Sequence, residues 1–300
     1  MIRLALIAWL TLCGVAHAQL SGGAGGFPGP GTVHSSGFTP SCAQSTSFLA
    51  RASAITSNTD KTNYDNLICG LETDGVGCSN TLDVLYILAA PDSATYLLNL
   101  CSASFALTVT GTGTFTASQG WAGNGSTGFL NTGYDPSAGT FGGTLNSQMG
   151  VYIRTSRGAN ANTIAMGANR SAGASFLYIQ PLNGGNIGWS VNGSAAGFPT
   201  AANTNVQGTW AASRVSSSTN TNLYKNGNAT AFAGPTNNPN TNMMNVSVYI
   251  GATNNIGTAA QFSTDQIAAA WYGAGTNGTG VAAIQNRINT FMTAYGTNVY

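Results

Sequence analysis

Apolar residues recur at two periods along the chain, helical at its ends and strand-like between. Residues 45–53 place Phe48, Leu49 and Ala52 at helical spacing. Residues 60–71 put Tyr64, Leu67, Ile68 and Leu71 on one face, the i, i+3, i+4, i+7 stripe of a packed helix. Asp60 is the expected cap of that second helix and Gly75 its stop. From residue 82 the period changes. Residues 82–88 form a β-rich run closed by Pro91 and Asp92, and a short turn of helix is expected over 93–100. Many short segments follow, separated by Gly, Asn and Ser, among them 106–110, 114–117, 128–132, 150–155, 163–167, 175–179, 187–191, 209–215, 222–225, 246–250 and 267–272. Regular short strands with turn signals predict an antiparallel β-sandwich. Asn226-Gly227 between strand-like flanks is a tight-hairpin signal. Val281, Ile284, Ile288, Phe291, Met292 and Tyr295 predict a closing helix, with Gly296 at its end.

The first residues read differently. Arg3 precedes an apolar run from Leu4 to about Val15, and Ala16-His17-Ala18 is an A-x-A site. Residues 1–18 are expected to be a cleaved signal peptide, which leads to a secreted, periplasmic or cell-surface location. No later apolar run is long enough to span a membrane. Residues 19–41, rich in Gly, Pro and Ser, read as a flexible or extended arm that carries His34. The expected organisation is then 1–18 signal, 19–41 arm, 42–80 helical pair packed on the sandwich, and 81–300 sandwich with its terminal helix.

Composition narrows the chemistry. Only 6% of the 300 residues are charged, nine Lys+Arg against eight Asp+Glu, while 40 are Gly. Loss of Arg3 with the signal peptide leaves eight basic residues against eight acidic ones. Nucleic acid is excluded as a partner, because phosphate binding needs a basic face. Cys42, Cys69, Cys78 and Cys101 remain after cleavage, an even count that predicts two disulfides in an exported chain. Four cysteines allow three pairings. An antiparallel helix pair would bring Cys42 near Cys69, which leaves Cys78 for Cys101.

Several motifs carry a resemblance. Leu223-Tyr224-Lys225-Asn226-Gly227, then Tyr249-Ile250-Gly251-Ala252, then Phe262-Ser263-Thr264-Asp265-Gln266-Ile267 follow in the order seen in the second half of laminin-G-like domains of the concanavalin A-like lectin/glucanase superfamily. The third motif is matched in part, with Ser263 and Gln266 as departures. The runs from Leu67 to Val76, Leu82 to Ile87 and Phe115 to Ser126 resemble uncharacterised phage-tail-type and prophage-associated proteins, over roughly residues 43–297. The signal peptide and cysteines depart from that group. The resemblance implies a mainly β, concanavalin A-like jelly roll with an N-terminal helical pair and a C-terminal helix.

Catalysis is not expected. A glucanase on that fold would resemble its relatives in carrying two Glu on one strand beside an Asp, but Glu72 is the single glutamate and lies on a predicted helix. A Ser/His/Asp triad lacks a base, since His34 lies in the arm. No cofactor is expected. Calcium is the best metal option, with Asp135 as its candidate ligand. Sugar binding needs aromatic faces and amides but no charge. Trp189, Tyr134, Tyr224 and Asn226 are the candidate ligand residues, while Trp210 and Trp271 are read as core. The expected function is a non-catalytic, exported or surface-displayed module that binds a glycan or surface polysaccharide. The alternative is a structural virion, tail or surface-assembly component without ligand binding, whose partners would be further copies of itself or a virion assembly.

Overall fold

A computed structural model describes residues 37–170, 175–194, 198–215, 220–237 and 242–300. The signal segment, most of the arm and His34 lie outside the described residues. Phe38–Tyr300 form one folded unit. Ser41, the last residue of the expected arm, is tied to the Asp65 side chain. Ser41 donates from its backbone N and its Oγ to the two Asp65 carboxylate oxygens, at 2.8 and 2.6 Å.

Three helices form: α1 (Ala43–Arg51), α2 (Asn58–Thr73) and α3 (Gly278–Ala294). The cap of α2 is Ser57, three residues before the expected one, and its Oγ accepts from the Asp60 backbone N at 3.3 Å. Asp60 instead accepts from the Tyr295 hydroxyl at 2.7 Å and ties α2 to the end of α3. Asn277 caps α3 by accepting from Gly280 N. Gly296 sits in the left-handed region past its end, as the sequence predicts. The helix expected over 93–100 shrinks to one 3-10 turn, Thr95–Leu97, with the Asp92 carboxylate accepting from Ala94 and Thr95.

In chain order the strands are β1 (Leu82–Ile87), β2 (Thr108–Thr110), β3 (Gly113–Thr116), β4 (Gly120–Gly123), β5 (Phe129–Asn131), β6 (Ser147–Ile153), β7 (Met166–Arg170), β8 (Ser175–Asn183) and β9 (Asn186–Gly193). They continue with β10 (Thr200–Ala202), β11 (Gly208–Arg214), β12 (Asn220–Lys225), β13 (Ala233–Asn237), β14 (Tyr249–Ile250), β15 (Thr253–Asn255), β16 (Thr258–Ala260) and β17 (Ile267–Gly273). They build two sheets. One runs β13-β12-β11-β6-β17-β4-β3, with β1 also paired to β17; the other runs β10-β9-β8-β7-β14-β5-β2, with β15 and β16 attached through β7. All pairings are antiparallel except β15 with β7. This is the two-sheet sandwich the sequence predicts.

The first sheet is covered on both faces. Val151, Ile153, Trp210, Ala212, Ala270 and Tyr272 point into the core between the sheets. Tyr152, Ala211, Ala269, Trp271 and Tyr224 point the other way, into a second core shared with Phe48, Tyr64, Leu67, Ile284 and Ile288 of the helices. This two-sided burial explains why β17 reads Ile-Ala-Ala-Ala-Trp-Tyr-Gly, apolar almost throughout. Gly150 stands opposite Trp271 across the β6–β17 pair, and a Cβ there would fall 2.0 Å from the indole.

Two disulfides, Cys42–Cys69 and Cys78–Cys101, fasten the helical layer. The first joins the start of α1 to α2, and the second joins the segment after α2 to the segment after the 3-10 turn. Asn226 and Gly227 adopt the paired left-handed conformations of a tight turn, with Asn228 N donating to Lys225 O. The strands after that turn do not pair at once. Ladder contact with β13 begins only at Leu223 opposite Ala233, so the hairpin is wide.

Candidate functional site

The second sheet differs from the first because, among the described residues, no helix covers its outer face. Along β8 burial alternates: Leu177 and Ile179 are buried in the core, and Phe176, Tyr178 and Gln180 are half-exposed on the other side. The hairpin of β15 and β16 docks beside β7 through the parallel β15–β7 pair and raises a wall next to these side chains. Phe198 closes a rim. It is 42% exposed and stands edge-on to Phe176 and Tyr178, with centroids 4.8 and 5.4 Å away.

These walls enclose a pocket of about 430 Å³. Its aromatic side is Phe176, Tyr178 and Phe198; its polar side is built from amides. Asn162 Oδ1 accepts from Gln180 Nε2 at 2.8 Å and from Gln261 Nε2 at 2.7 Å. Asn169 Nδ2 donates to Asn255 Oδ1 at 3.0 Å. The Asn169 Oδ1 is buried without a hydrogen-bond partner among the described residues. None of the lining residues is charged. Burial pushes the Tyr178 phenol well above its ordinary value, so it stays a neutral hydroxyl.

The wall is held in unusual backbone. Ile256, at the tip of the β15–β16 hairpin, has φ +53°, and Gln261 at its foot also has φ +53°. A β-branched residue in the left-handed region is a genuine outlier, and such strain concentrates at functional sites. Ile256 is also 54% exposed, so no burial of its own side chain compensates.

The residues singled out from sequence lie elsewhere and do other work. Trp189 is 1% exposed and donates from Nε1 to Thr221 Oγ1 at 3.2 Å, so it is core, not a binding face. The parity of β9 decides this, because Ile187, Trp189 and Val191 all enter the central core together. Tyr134 is buried and donates to Asp83 Oδ2 at 2.9 Å. Tyr224 is buried in the core under the helices. The Asn226 side chain is spent inside the fold, its Oδ1 accepting from Thr209 N at 2.9 Å. These four are structural. Trp210 and Trp271 are core, as read.

Asp135 is likewise a cap. Its Oδ1 accepts from the Ser137 N and Oγ, both at 2.9 Å. No other carboxylate joins it: among the described residues the one cluster of acidic and sulfur groups is Cys42, Asp65 and Cys69, whose sulfurs form a disulfide. Asp135 thus acts as the cap of the Pro136–Ala138 turn.

A second cavity, of about 360 Å³, lies beside Asp83. Its carboxylate is consumed by Thr140, Phe141 and Gly142 backbone N–H groups at 2.7–2.9 Å and by Tyr134. That arrangement pins the loop before β6 onto β1.

No protein-family model matches the sequence, and no significant match to a curated protein is found. Solved structures resemble the fold. Domain 4 of AbnA, a GH43 extracellular arabinanase from Geobacillus stearothermophilus solved with arabinotriose, is 15% identical with a TM-score of 0.46 over 69% of this chain and 99% of that one. A mutant Trypanosoma rangeli sialidase displaying trans-sialidase activity is 12% identical with a TM-score of 0.49, over 78% of this chain and 38% of the sialidase. The CBM40 of a Ruminococcus gnavus IT-sialidase is 17% identical with a TM-score of 0.36, over 52% and 92%. At these identities and scores none of them assigns a ligand or an activity to this chain.

Proposed function

We propose that the protein is an exported, non-catalytic carbohydrate-binding module, and that the pocket on the open face of the second sheet is its ligand site. The observation that carries the reading is the pairing of half-exposed Phe176 and Tyr178 with a wall of side-chain amides. Sugar rings present C–H faces that pack on aromatic rings and hydroxyls that amides read from the edge. The pocket falls within the size range of small-ligand sites, roughly 300–1,000 Å³.

Two observations support the remaining parts. Disulfides persist in oxidising compartments, so Cys42–Cys69 and Cys78–Cys101 fit an exported chain. Among the described residues no helix is long and apolar enough to cross a membrane. The non-catalytic reading rests on the carboxylates, each of which is engaged in the fold. Glu72 accepts from Cys78 N and from Ser79. Asp60, Asp65, Asp83, Asp92 and Asp135 are spent as described above. Asp74 pairs with Arg287 and buried Asp265 pairs with Arg157, each at 2.7 Å. Most glycosidases place a pair of carboxyl groups about one cleft.

The test is a glycan array probed with the full exported chain and with Tyr178→Ala. Binding by the wild type that Tyr178→Ala abolishes, with the variant still folded at the assay temperature, supports the reading. Absence of glycan binding by the folded wild type overturns it. Release of reducing sugar from a bound glycan overturns the non-catalytic part.

A further inference from the structure

We infer that Gln261 reads two neighbouring hydroxyls of the ligand, and that Asn162 is the positioning residue that holds its amide for this task. The inference rests on the carbohydrate-binding reading above and adds a ligand class, sugars with a free vicinal diol.

Gln261 lines the pocket from the foot of the β15–β16 hairpin. Its backbone is clamped, with its carbonyl accepting from Ile164 N at 2.9 Å while φ stands at +53°. Glycine or asparagine would hold that conformation at lower cost, so the glutamine keeps a long amide here against the preference of its own backbone. Such strain concentrates at functional sites. One Nε2 hydrogen is used, on Asn162 Oδ1 at 2.7 Å. Among the described residues none donates to Gln261 Oε1 and none takes the second Nε2 hydrogen, and the oxygen is open to solvent.

Asn162 sets the sense of that amide. Its Oδ1 accepts a second hydrogen bond, from Gln180 Nε2 at 2.8 Å, so both lone pairs are taken by glutamine N–H groups. Turning the Gln261 amide over would set its oxygen against the Asn162 oxygen. The bridge therefore selects one orientation, with Oε1 and one N–H left for a ligand. A planar amide with a free acceptor beside a free donor complements two adjacent hydroxyls, one giving and one receiving. A lone hydroxyl satisfies only one of the two, and a site built to bond a hydroxyl rejects the analogue that lacks it. The ring that carries the pair has its C–H face for Phe176 and Tyr178. Asn162 is itself exposed, so its bridge can be removed with little loss of packing.

The experiment measures affinities of the exported chain by titration calorimetry. The probes are gluco-, galacto-, manno-, xylo- and arabino-configured disaccharides, with monodeoxy and mono-O-methyl analogues at each hydroxyl of the terminal ring. For the probe that binds, loss of either member of one adjacent hydroxyl pair should weaken binding about tenfold, the worth of one hydrogen bond, and changes elsewhere on the ring by less than about threefold. Gln261→Gly should weaken the parent about tenfold and erase its preference over the two deoxy analogues, while the melting temperature falls by no more than a few degrees because glycine accepts the left-handed backbone. Asn162→Ala should weaken binding about threefold to tenfold, and Asn162→Asp, which keeps the acceptor, should return it to within about twofold of the wild type. Deoxy selectivity that survives in Gln261→Gly, in a protein whose binding Tyr178→Ala abolishes, would overturn this inference and leave the carbohydrate-binding reading standing. Loss of binding in Asn162→Asp as deep as in Asn162→Ala would overturn the positioning role. Absence of binding to every probe by the folded wild type would overturn the underlying reading as well. If Gln261→Gly fails to fold, Gln261→Met, which keeps the length without the amide, takes its place, and wild-type losses confined to a single isolated hydroxyl overturn the inference without any variant.

Discussion

Trp189 and Tyr178 stand on neighbouring strands and face opposite ways, so two truncations separate scaffold from site. Trp189 is 1% exposed and bonded to Thr221, which is itself fully buried. Removing a buried Trp side chain costs about 3–5 kcal/mol. Leaving the Thr221 hydroxyl without its donor adds about 1 kcal/mol. For a unit of this size each kcal/mol lowers the melting temperature by about 2–4 °C. Trp189→Ala should therefore lower it by roughly 10–20 °C, and Trp189→Phe by much less because the ring volume is largely kept. Tyr178 is partly exposed on the outer face and packs edge-on against Phe198. Its ring is more than half buried, so truncation removes most of an aromatic burial, about 1.5–2 kcal/mol, and should lower the melting temperature by about 3–8 °C, well short of Trp189→Ala. The assay is thermal unfolding followed by circular dichroism, with glycan binding measured on the same samples below the transition. Trp189→Phe should bind as the wild type does, and Tyr178→Ala should not bind. A Trp189→Ala protein as stable as the wild type but unable to bind would refute the assignment of faces.

Three further outcomes follow from the same geometry. Cys42→Ala with Cys69→Ala opens a loop with a separation of 27 residues, and the chain-entropy estimate for that closure is about 3.5 kcal/mol; urea unfolding of the double variant measures it. Ile256→Asn should raise the melting temperature by a few degrees, because Asn tolerates the left-handed region that costs a branched residue about 1–2 kcal/mol and an exposed Ile loses little burial. The Arg287 hydrogen bond, and then its charge, hold the Asp74 carboxyl below its ordinary value against the opposing effect of partial burial. That contribution is present above the unfolded pKa of about 3.9 and fades as pH falls through the lower folded value, so the stability gap between wild type and Arg287→Ala should shrink below about pH 4; a constant gap down to pH 2 would contradict it.

The fold was legible because it is written in apolar periodicity. Leu67, Ile68 and Leu71 announce α2, and the continuous apolar run of β17 marks a strand buried on both faces. The cap of α2 was misplaced because Ser57 and Asp60 are both competent residues, and only the geometry shows which accepts. Strands β4, β10, β13, β15 and β16 were missed because they are short and built mostly of Gly, Ala, Thr and Asn, so no apolar alternation marks them. The candidate site was half legible. Its chemistry, aromatic rings beside amides in a neutral setting, follows from composition. Its residues do not. Trp189 lies among Asn186, Gly188 and Asn192, which read as surface, yet Ile187 and Val191 share its parity and carry it inward. The same rule applied to the segment 175–179 would have placed Phe176 and Tyr178 opposite Leu177 and Ile179. What the rule cannot supply is that this outer face is open while the equivalent face of the other sheet is buried by helices from the two ends of the described chain.

The most direct measurement is a crystal structure of the exported chain with a neutral oligosaccharide bound. The account predicts a sugar ring against Tyr178 and Phe176, with its hydroxyls facing the side-chain amides of the wall. A sugar seated instead in the cavity beside Asp83 and Tyr134, with the outer face of β8 empty, would contradict it.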